Sequence, residues 1–231
     1  MQDAIPRGWP QAVFFDLDGT LIDSAADITA AVNEVLAGDR LGPLPVTQVR
    51  TMVGNGVRRL VERAYEACGE PLDDITLDER YARMMKVYGN HLTRLTTLLP
   101  GAASALRTSR ELGAKVAVIT NKPEGFSRQI LAHFGLLPDV DLIVGGDSGP
   151  ARKPAPDMLL HALKEFAVLP SAAVMVGDGP ADVDAAWAAG VRVVAVDGGY
   201  ATVPAAELGA DTVIDSLADL PDAVVHLAAR A

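Results

Sequence analysis

Residues 12–24 read AVFFDLDGTLIDS: an apolar run, Ala12–Phe15, followed at once by two carboxylates two positions apart, Asp16 and Asp18. In a continuing strand, positions i and i+2 face the same side. Two carboxylates about 4 Å apart repel by roughly 4 kcal/mol at a surface-like effective dielectric. Such a pair is kept where a positive charge sits between its members or where it lies on a solvated bend. Gly19 follows and lets the chain turn tightly.

Five further short β-branched or apolar runs follow: Lys115–Ile119, Leu142–Val144, Ala173–Val176, Val191–Val196 and Thr212–Ile214. Helical patterns separate most of them. Ala102–Leu112 stops at Gly113, Glu124–Phe134 at Gly135 and Ala181–Ala189 at Gly190, while Asp157–Phe166 follows Pro154 and Pro156. Glycine just past a helix is a C-terminal signal. Strands alternating with helices of this length predict βαβ units, hence an α/β fold: a doubly wound parallel sheet, a Rossmann-like core, with right-handed crossovers. Leu217–Ala229 reads as a closing helix.

Between the first and second strands the pattern changes. Residues 21–99 show no strand and read as four helices, Ala25–Ala37, Val46–Met52, Val57–Cys68 and Leu77–Leu95, parted by Gly42-Pro43, Gly54-Asn55-Gly56 and Gly69-Glu70-Pro71. That is far more chain than one crossover needs. The expectation is an inserted helical domain over 21–99, with 1–20 and 100–231 forming the α/β core and Pro100-Gly101 marking the return.

The chain has 231 residues, 49% of them hydrophobic and 22% charged, with a formal net charge of -10. That composition supports a sizeable core. So acidic a chain is poorly suited to nucleic acid or to an anionic membrane surface, and an anionic ligand would need a local positive site or a metal. The single cysteine, Cys68, excludes an internal disulfide and suits a reducing compartment. The first ten residues do not read as a signal peptide, and no apolar run approaches the ~20 residues of a membrane span. A soluble cytoplasmic protein is expected.

Ligands of open parallel sheets bind beyond the carboxyl ends of the strands. Asp16 and Asp18 stand there after the first strand, Thr120, Asn121 and Lys122 after the second, and Arg152 and Lys153 near the third. Gly177, Asp178, Gly179 and, a turn later, Asp182 follow the fourth. The carboxylates alone would repel. A hard divalent cation resolves this, with Mg²⁺ the common choice and substrate phosphate oxygens completing its shell.

The ordered set DLDGTLIDS, TNK, RKPAP and GDGPADVDAA resembles the haloacid dehalogenase superfamily of phosphotransferases over nearly the whole chain, the helical insertion matching that superfamily's cap domain. The resemblance implies that Asp16 is the nucleophile, forming an aspartyl-phosphate, and that Asp18 protonates the leaving oxygen and then activates water. Thr120 would donate to a phosphate oxygen through hydroxyl and backbone, and Lys153 would neutralise the nucleophile and the transition state. Asp178 would bind Mg²⁺ with Asp16 and the backbone carbonyl of Asp18, Asp182 would hold metal-bound water or Lys153, and Asn121 would support the site. Where many relatives carry Ser, this chain has Gly179, a loss of one supporting hydrogen bond.

Thr20 after Asp18-Gly19 resembles the phosphatases more than the β-phosphoglucomutases, and Asp18 itself is absent from the dehalogenases. VGNGVRRLVERA, SAADI and TNKP resemble the phosphoglycolate phosphatase branch. Gly54-Asn55-Gly56 before a helix offers free N–H groups to an anion, with Arg58 in the first turn to add charge and Lys122 and Arg152 as further candidates. The plainer reading is an inter-helix turn with Arg58 and Arg59 solvated. The expected partner is a small phosphorylated metabolite. The substrate implied is 2-phosphoglycolate; alternatives are an amino-sugar phosphate such as N-acetylmuramate 6-phosphate, a mutase-like phosphoryl transfer, or a non-catalytic binding protein. The chain is expected to be a monomer or homodimer.

Other residues have ordinary readings. His91, His133, His161 and His226 lack metal-ligand spacing. Cys68 is expected to be a buried small apolar residue and Trp187 to pack against the sheet. Asp23 and Ser24 suit the cap of the first inserted helix, and Asp197-Gly198-Gly199 a loop.

Overall fold

A computed structural model describes residues 8–229. Six parallel strands form one sheet in the order β5-β4-β1-β6-β7-β8: β1 (Ala12–Phe15), β4 (Lys115–Ile119), β5 (Leu142–Val144), β6 (Ala173–Gly177), β7 (Arg192–Val196) and β8 (Thr212–Ile214). β1 lies inside the sheet, with Phe15 level with both Val118 and Val176. The chain adds β4 and β5 on one side of β1 and then crosses to add β6 on the other. β1 is therefore the point where strand order reverses, the place at which such sheets open a crevice.

β1 is buried on both faces, as its unbroken apolar run requires. Val13 and Phe15 join a core under α5 (Ala102–Glu111), α6 (Glu124–His133) and α9 (Leu220–Ala228). Ala12 and Phe14 join a second core under α7 (Asp157–Phe166) and α8 (Pro180–Ala189). Each phenylalanine side chain buried here contributes roughly 1.5–3 kcal/mol relative to exposure.

The insertion is helical: α1 (Ala25–Gly38), α2 (Val46–Arg50), α3 (Val57–Ala67) and α4 (Asp74–Tyr88). Val32, Val35, Leu36, Val61, Ala64 and Met84 close its centre. Asp39 ties three of its helices, accepting from Tyr65, from Arg80 Nε at 2.5 Å and from Arg83 Nη1 at 3.0 Å. Asp27 Oδ2, buried on α1, receives Leu95 N, Thr96 N and the Thr96 hydroxyl at 2.8–2.9 Å, clamping the returning chain.

Several expectations need correction. The stretch 21–99 contains strands after all: β2 (Ile22–Asp23) and β3 (Thr97–Leu98) pair antiparallel where the chain leaves and re-enters the core. Two residues are too few to show a strand period. α4 starts earlier than Leu77, because Asp73 accepts from Thr76 N at 2.8 Å, and ends at Tyr88, before Gly89-Asn90. Trp187 is 57% exposed, since the buried stripe of α8 runs through Val183, Ala186 and Ala189; its ring edge lies near Gly209 and not under the sheet. Cys68 is only half-buried. Ser24 makes no cap bond to its own helix, its hydroxyl being committed to Asp18. Among the described residues, no helix is long and apolar enough to cross a membrane.

Candidate active site

The parallel register brings the ends of β1, β4 and β6 to one edge. Asp16 N donates to Val176 O at 2.9 Å, keeping Asp16 in the sheet's hydrogen-bond pattern as the strand ends. Gly19, at φ +88°, turns the chain over Asp178; a Cβ there would lie 2.5 Å from Asp178 Oδ2. Gly177 is equally constrained, because a Cβ would meet Asp182 Cγ at 2.3 Å. These glycines let Asp16, Asp178 and Asp182 converge, with carboxylate oxygens of all three within 4.8 Å of one another.

Lys153 enters this cluster, its side chain buried. Its ammonium donates to Asp182 Oδ1 and to Ile119 O, both at 2.6 Å. Asp16 Oδ1 lies 2.9 Å from it, off the donor direction, as an ion pair and not an aligned hydrogen bond. Burial alone would lower the Lys153 pKa, but Asp16 and Asp182 outweigh it and hold the group well above the ordinary lysine value. The carboxyls respond oppositely. Burial first, then Asp182 and Asp16, push Asp178 up to about 7. Burial likewise pushes Asp16 up to about 6, against the pull of Lys153. Asp178 is held by the Thr20 hydroxyl at 2.9 Å and Tyr200 N at 2.6 Å.

Asp18 faces a different cation. Lys122 Nζ donates to both of its oxygens, at 2.8 and 2.9 Å, and the Ser24 hydroxyl to Oδ1 at 2.6 Å. Lys122 also donates to the Tyr88 hydroxyl, which arrives from α4. Asp16 and Asp18 line both adjoining cavities. The smaller is walled by Ile28, Val53, Val57 and Leu60 and carries Thr120, Asn121 and Lys122. The larger, open to solvent, carries Lys153, Asp178, Asp182 and Arg63.

The family model for haloacid dehalogenase-like hydrolases matches residues 10–190. The chain belongs to the haloacid dehalogenase-like hydrolases. Phosphoglycolate phosphatase of Rhodospirillum rubrum is 42% identical over 217 residues, covering 92% of this chain and 90% of its own length. That of Cereibacter sphaeroides is also 42% identical over 217 residues, covering 94% and 99%. The crystal structure of a predicted phosphoglycolate phosphatase from Haemophilus somnus superposes with a TM-score of 0.85 at 30% identity, covering 92% of this chain and 97% of that one.

In this haloacid dehalogenase-like hydrolase, the donor set fits a divalent cation. Asp16, Asp178 and Asp182 converge three carboxyls on a single neighbouring cation, Lys153, and leave hard oxygen donors facing one another. The Asp18 carboxylate stands outside the cluster, engaged by Lys122. Asp182 holds Lys153, and its Oδ2 accepts Gly179 N at 3.1 Å. Asn121 Nδ2 bridges Gly54 O at 2.8 Å and Lys153 O at 2.9 Å, tying the insertion's glycine turn to the lysine loop.

Two expected contacts change. Thr120 N donates to Val144 O at 3.0 Å, so only its hydroxyl is free to donate to a ligand. Arg58 lies outside both cavities; it faces α4, where it pairs with Asp78 at 3.0 Å and Asp74 at 3.3 Å. Gly54 and Gly56 line the smaller cavity, and Gly54 and Asn55 the larger. Arg152 Nε donates to Gly146 O at 2.7 Å, with its guanidinium beside Gly56. Sequence reading missed Tyr88, Arg63 and Tyr200. Arg63 lies one helical turn past Arg59 and five positions past Arg58, so it shares a face of α3 with Arg59 and not with Arg58. The tyrosines carried no motif signal.

Proposed function

We propose that this protein is a Mg²⁺-dependent phosphomonoesterase acting on a small phosphorylated carboxylate, 2-phosphoglycolate foremost, with residues 21–99 as a cap domain over a core of 1–20 and 100–231. The observation that carries the reading is the Asp16 carboxylate, at the end of a central strand, lining both cavities and charge-paired to buried Lys153. The names of its relatives support the substrate.

Asp16 attacks phosphorus, the ester P–O bond breaks, and Asp18 gives its proton to the departing oxygen. Asp18 then takes a proton from water as that water attacks the aspartyl-phosphate, releasing orthophosphate and restoring Asp16. Lys153 offsets charge on Asp16 and on the transferring group, and the Thr120 hydroxyl donates to a phosphate oxygen. Asp16, Asp178 and the Asp18 backbone carbonyl would hold Mg²⁺, which supplies charge neutralisation for the phosphoryl oxygens. The substrate carboxylate competes with Asp18 for Lys122, the buried cation of the smaller cavity, in place of the Arg58 site.

Phosphate release with Mg²⁺ tests this against 2-phosphoglycolate, N-acetylmuramate 6-phosphate, β-glucose 1-phosphate and a nucleoside monophosphate. A kcat/KM preference for 2-phosphoglycolate of tenfold or more is expected, about 1.4 kcal/mol of discrimination. A flat profile or a sugar-phosphate preference discards the substrate. Asp16→Asn should abolish turnover with the fold intact; retained turnover discards the mechanism.

A further inference from the structure

The loop after β7 reads DGGY, Asp197–Tyr200, and it touches three separate parts of the molecule. Its backbone presses on Asp178: a Cβ on Gly199 would lie 2.3 Å from Asp178, and Tyr200 N donates to Asp178 Oδ2. The Tyr200 hydroxyl accepts Ser24 N at 2.7 Å and Ala25 N at 3.0 Å and donates to Asp23 Oδ1 at 2.8 Å. Those two N–H groups are among the orphan donors that open α1. With the Ser24 hydroxyl engaged by Asp18, a phenol from the core shares the cap with Asp23, whose Oδ1 also accepts Ala25 N at 3.1 Å. Arg50, the last residue of α2, completes the arrangement. Its guanidinium lies 4.7 Å over the Tyr200 ring, donates to Gly198 O at 3.2 Å and Gly199 O at 3.3 Å, and pairs with Asp23 at 3.5 Å.

We propose that Arg50 and Tyr200 form a latch that holds the helical insertion over the core and couples its position to Asp178, so that both are positioning residues for hydrolysis at this site. The insertion cannot swing about residues 23–25 without breaking the phenol cap and withdrawing Arg50 from two carbonyls and a ring. Equally, the loop that carries those contacts cannot shift without releasing Asp178. Coupling of this kind is reciprocal: whatever orders Asp178 also favours the latched insertion. The coupling rests on Asp178 being a metal ligand.

The experiment compares wild type, Arg50→Ala, Arg50→Lys and Tyr200→Phe by amide hydrogen exchange with and without Mg²⁺, and by kinetics on 2-phosphoglycolate. Arg50 is partly exposed, so its variants should fold. In wild type, Mg²⁺ should slow exchange over residues 23–25 and 46–50. Arg50→Ala should speed exchange there about tenfold and remove the Mg²⁺ effect. It should also raise KM about fivefold with kcat within about twofold, because the binding-competent arrangement is less populated. Arg50→Lys should recover less than half, since an ammonium cannot span both carbonyls and the ring. Tyr200→Phe keeps the ring and its N–H, so its faster exchange should centre on residues 23–25. Unchanged exchange and KM in Arg50→Ala, or a drop in the urea midpoint without either change, overturns the latch. Should wild type show no Mg²⁺ effect on exchange, the coupling to Asp178 fails. Should it hydrolyse no phosphate ester, the proposed activity fails, while the exchange comparison still judges the latch.

Discussion

Lys153→Met removes the one cation among three converging carboxylates while keeping a flexible apolar stem. The ammonium is buried and makes contacts of 2.6 Å to Ile119 O, 2.6 Å to Asp182 and 2.9 Å to Asp16. At an effective dielectric of 20, each charge pair at this separation is attractive by roughly 6 kcal/mol before desolvation. Removing one partner of a buried pair costs a net of about 3–5 kcal/mol, because the other charge stays behind. Against a total stability of about 5–15 kcal/mol, that is a large fraction. With a urea slope of about 2–3 kcal/mol per molar, the midpoint in EDTA should fall by about 1–2 M. Mg²⁺ at a hundred times its Kd stabilises a folded site by about 2.7 kcal/mol. At equal Mg²⁺ concentration the variant should gain more than wild type, since its cluster keeps three negative charges instead of two. The assay is urea unfolding of both proteins in EDTA and in Mg²⁺. A variant midpoint within about 0.3 M of wild type in EDTA would refute the ion-pair reasoning, being close to the error of such measurements. Mg²⁺ stabilisation of neither protein would refute the cation site.

Asp39→Asn tests the insertion's charge cluster. Burial pushes the Asp39 carboxyl up, but hydrogen bonds from Tyr65, Arg83 and Arg80 outweigh it and hold the pKa below the ordinary value. A depressed folded pKa gives stability that is whole above the unfolded-state pKa, about 3.9, and is lost as pH falls through the folded value. The variant should therefore be less stable than wild type at neutral pH, with the gap in urea midpoint closing as pH falls below the unfolded-state pKa and through the lowered folded one; a gap that persists in strong acid sinks the assignment. Arg58→Ala should leave KM for 2-phosphoglycolate within about twofold, because the guanidinium is engaged by Asp74 and Asp78 outside the cavities; a selective rise in KM would return Arg58 to the substrate site. Gly19→Ala forces a left-handed conformation costing about 1–2 kcal/mol and drives a Cβ into Asp178. Its Mg²⁺ affinity by calorimetry should fall about tenfold or more, as metal sites do when the groups orienting a ligand are disturbed; unchanged affinity would mean that Asp178 does not bind the ion.

The chain order alone determined the sheet. Buried parallel strands must be short apolar runs, and the residues after them must sit at one edge, so Asp16, Thr120, Lys153 and Asp178 were legible as neighbours before any coordinates. That logic works because strand direction and crossover hand leave few alternatives. Direction on a helix is less constrained by neighbours in sequence. Arg58 sat beside a glycine turn in the right region, yet its side chain pairs with α4, and Lys122 occupies the cavity instead. Tyr88 meets Lys122 only because α4 ends at Gly89-Asn90 over the core. Tyr200 caps α1 across 176 positions of chain, and no local pattern announces a phenol that serves another element's N-terminus. The choice of partner for each polar group was made in three dimensions, because a buried donor takes whichever acceptor the packed backbone brings within reach.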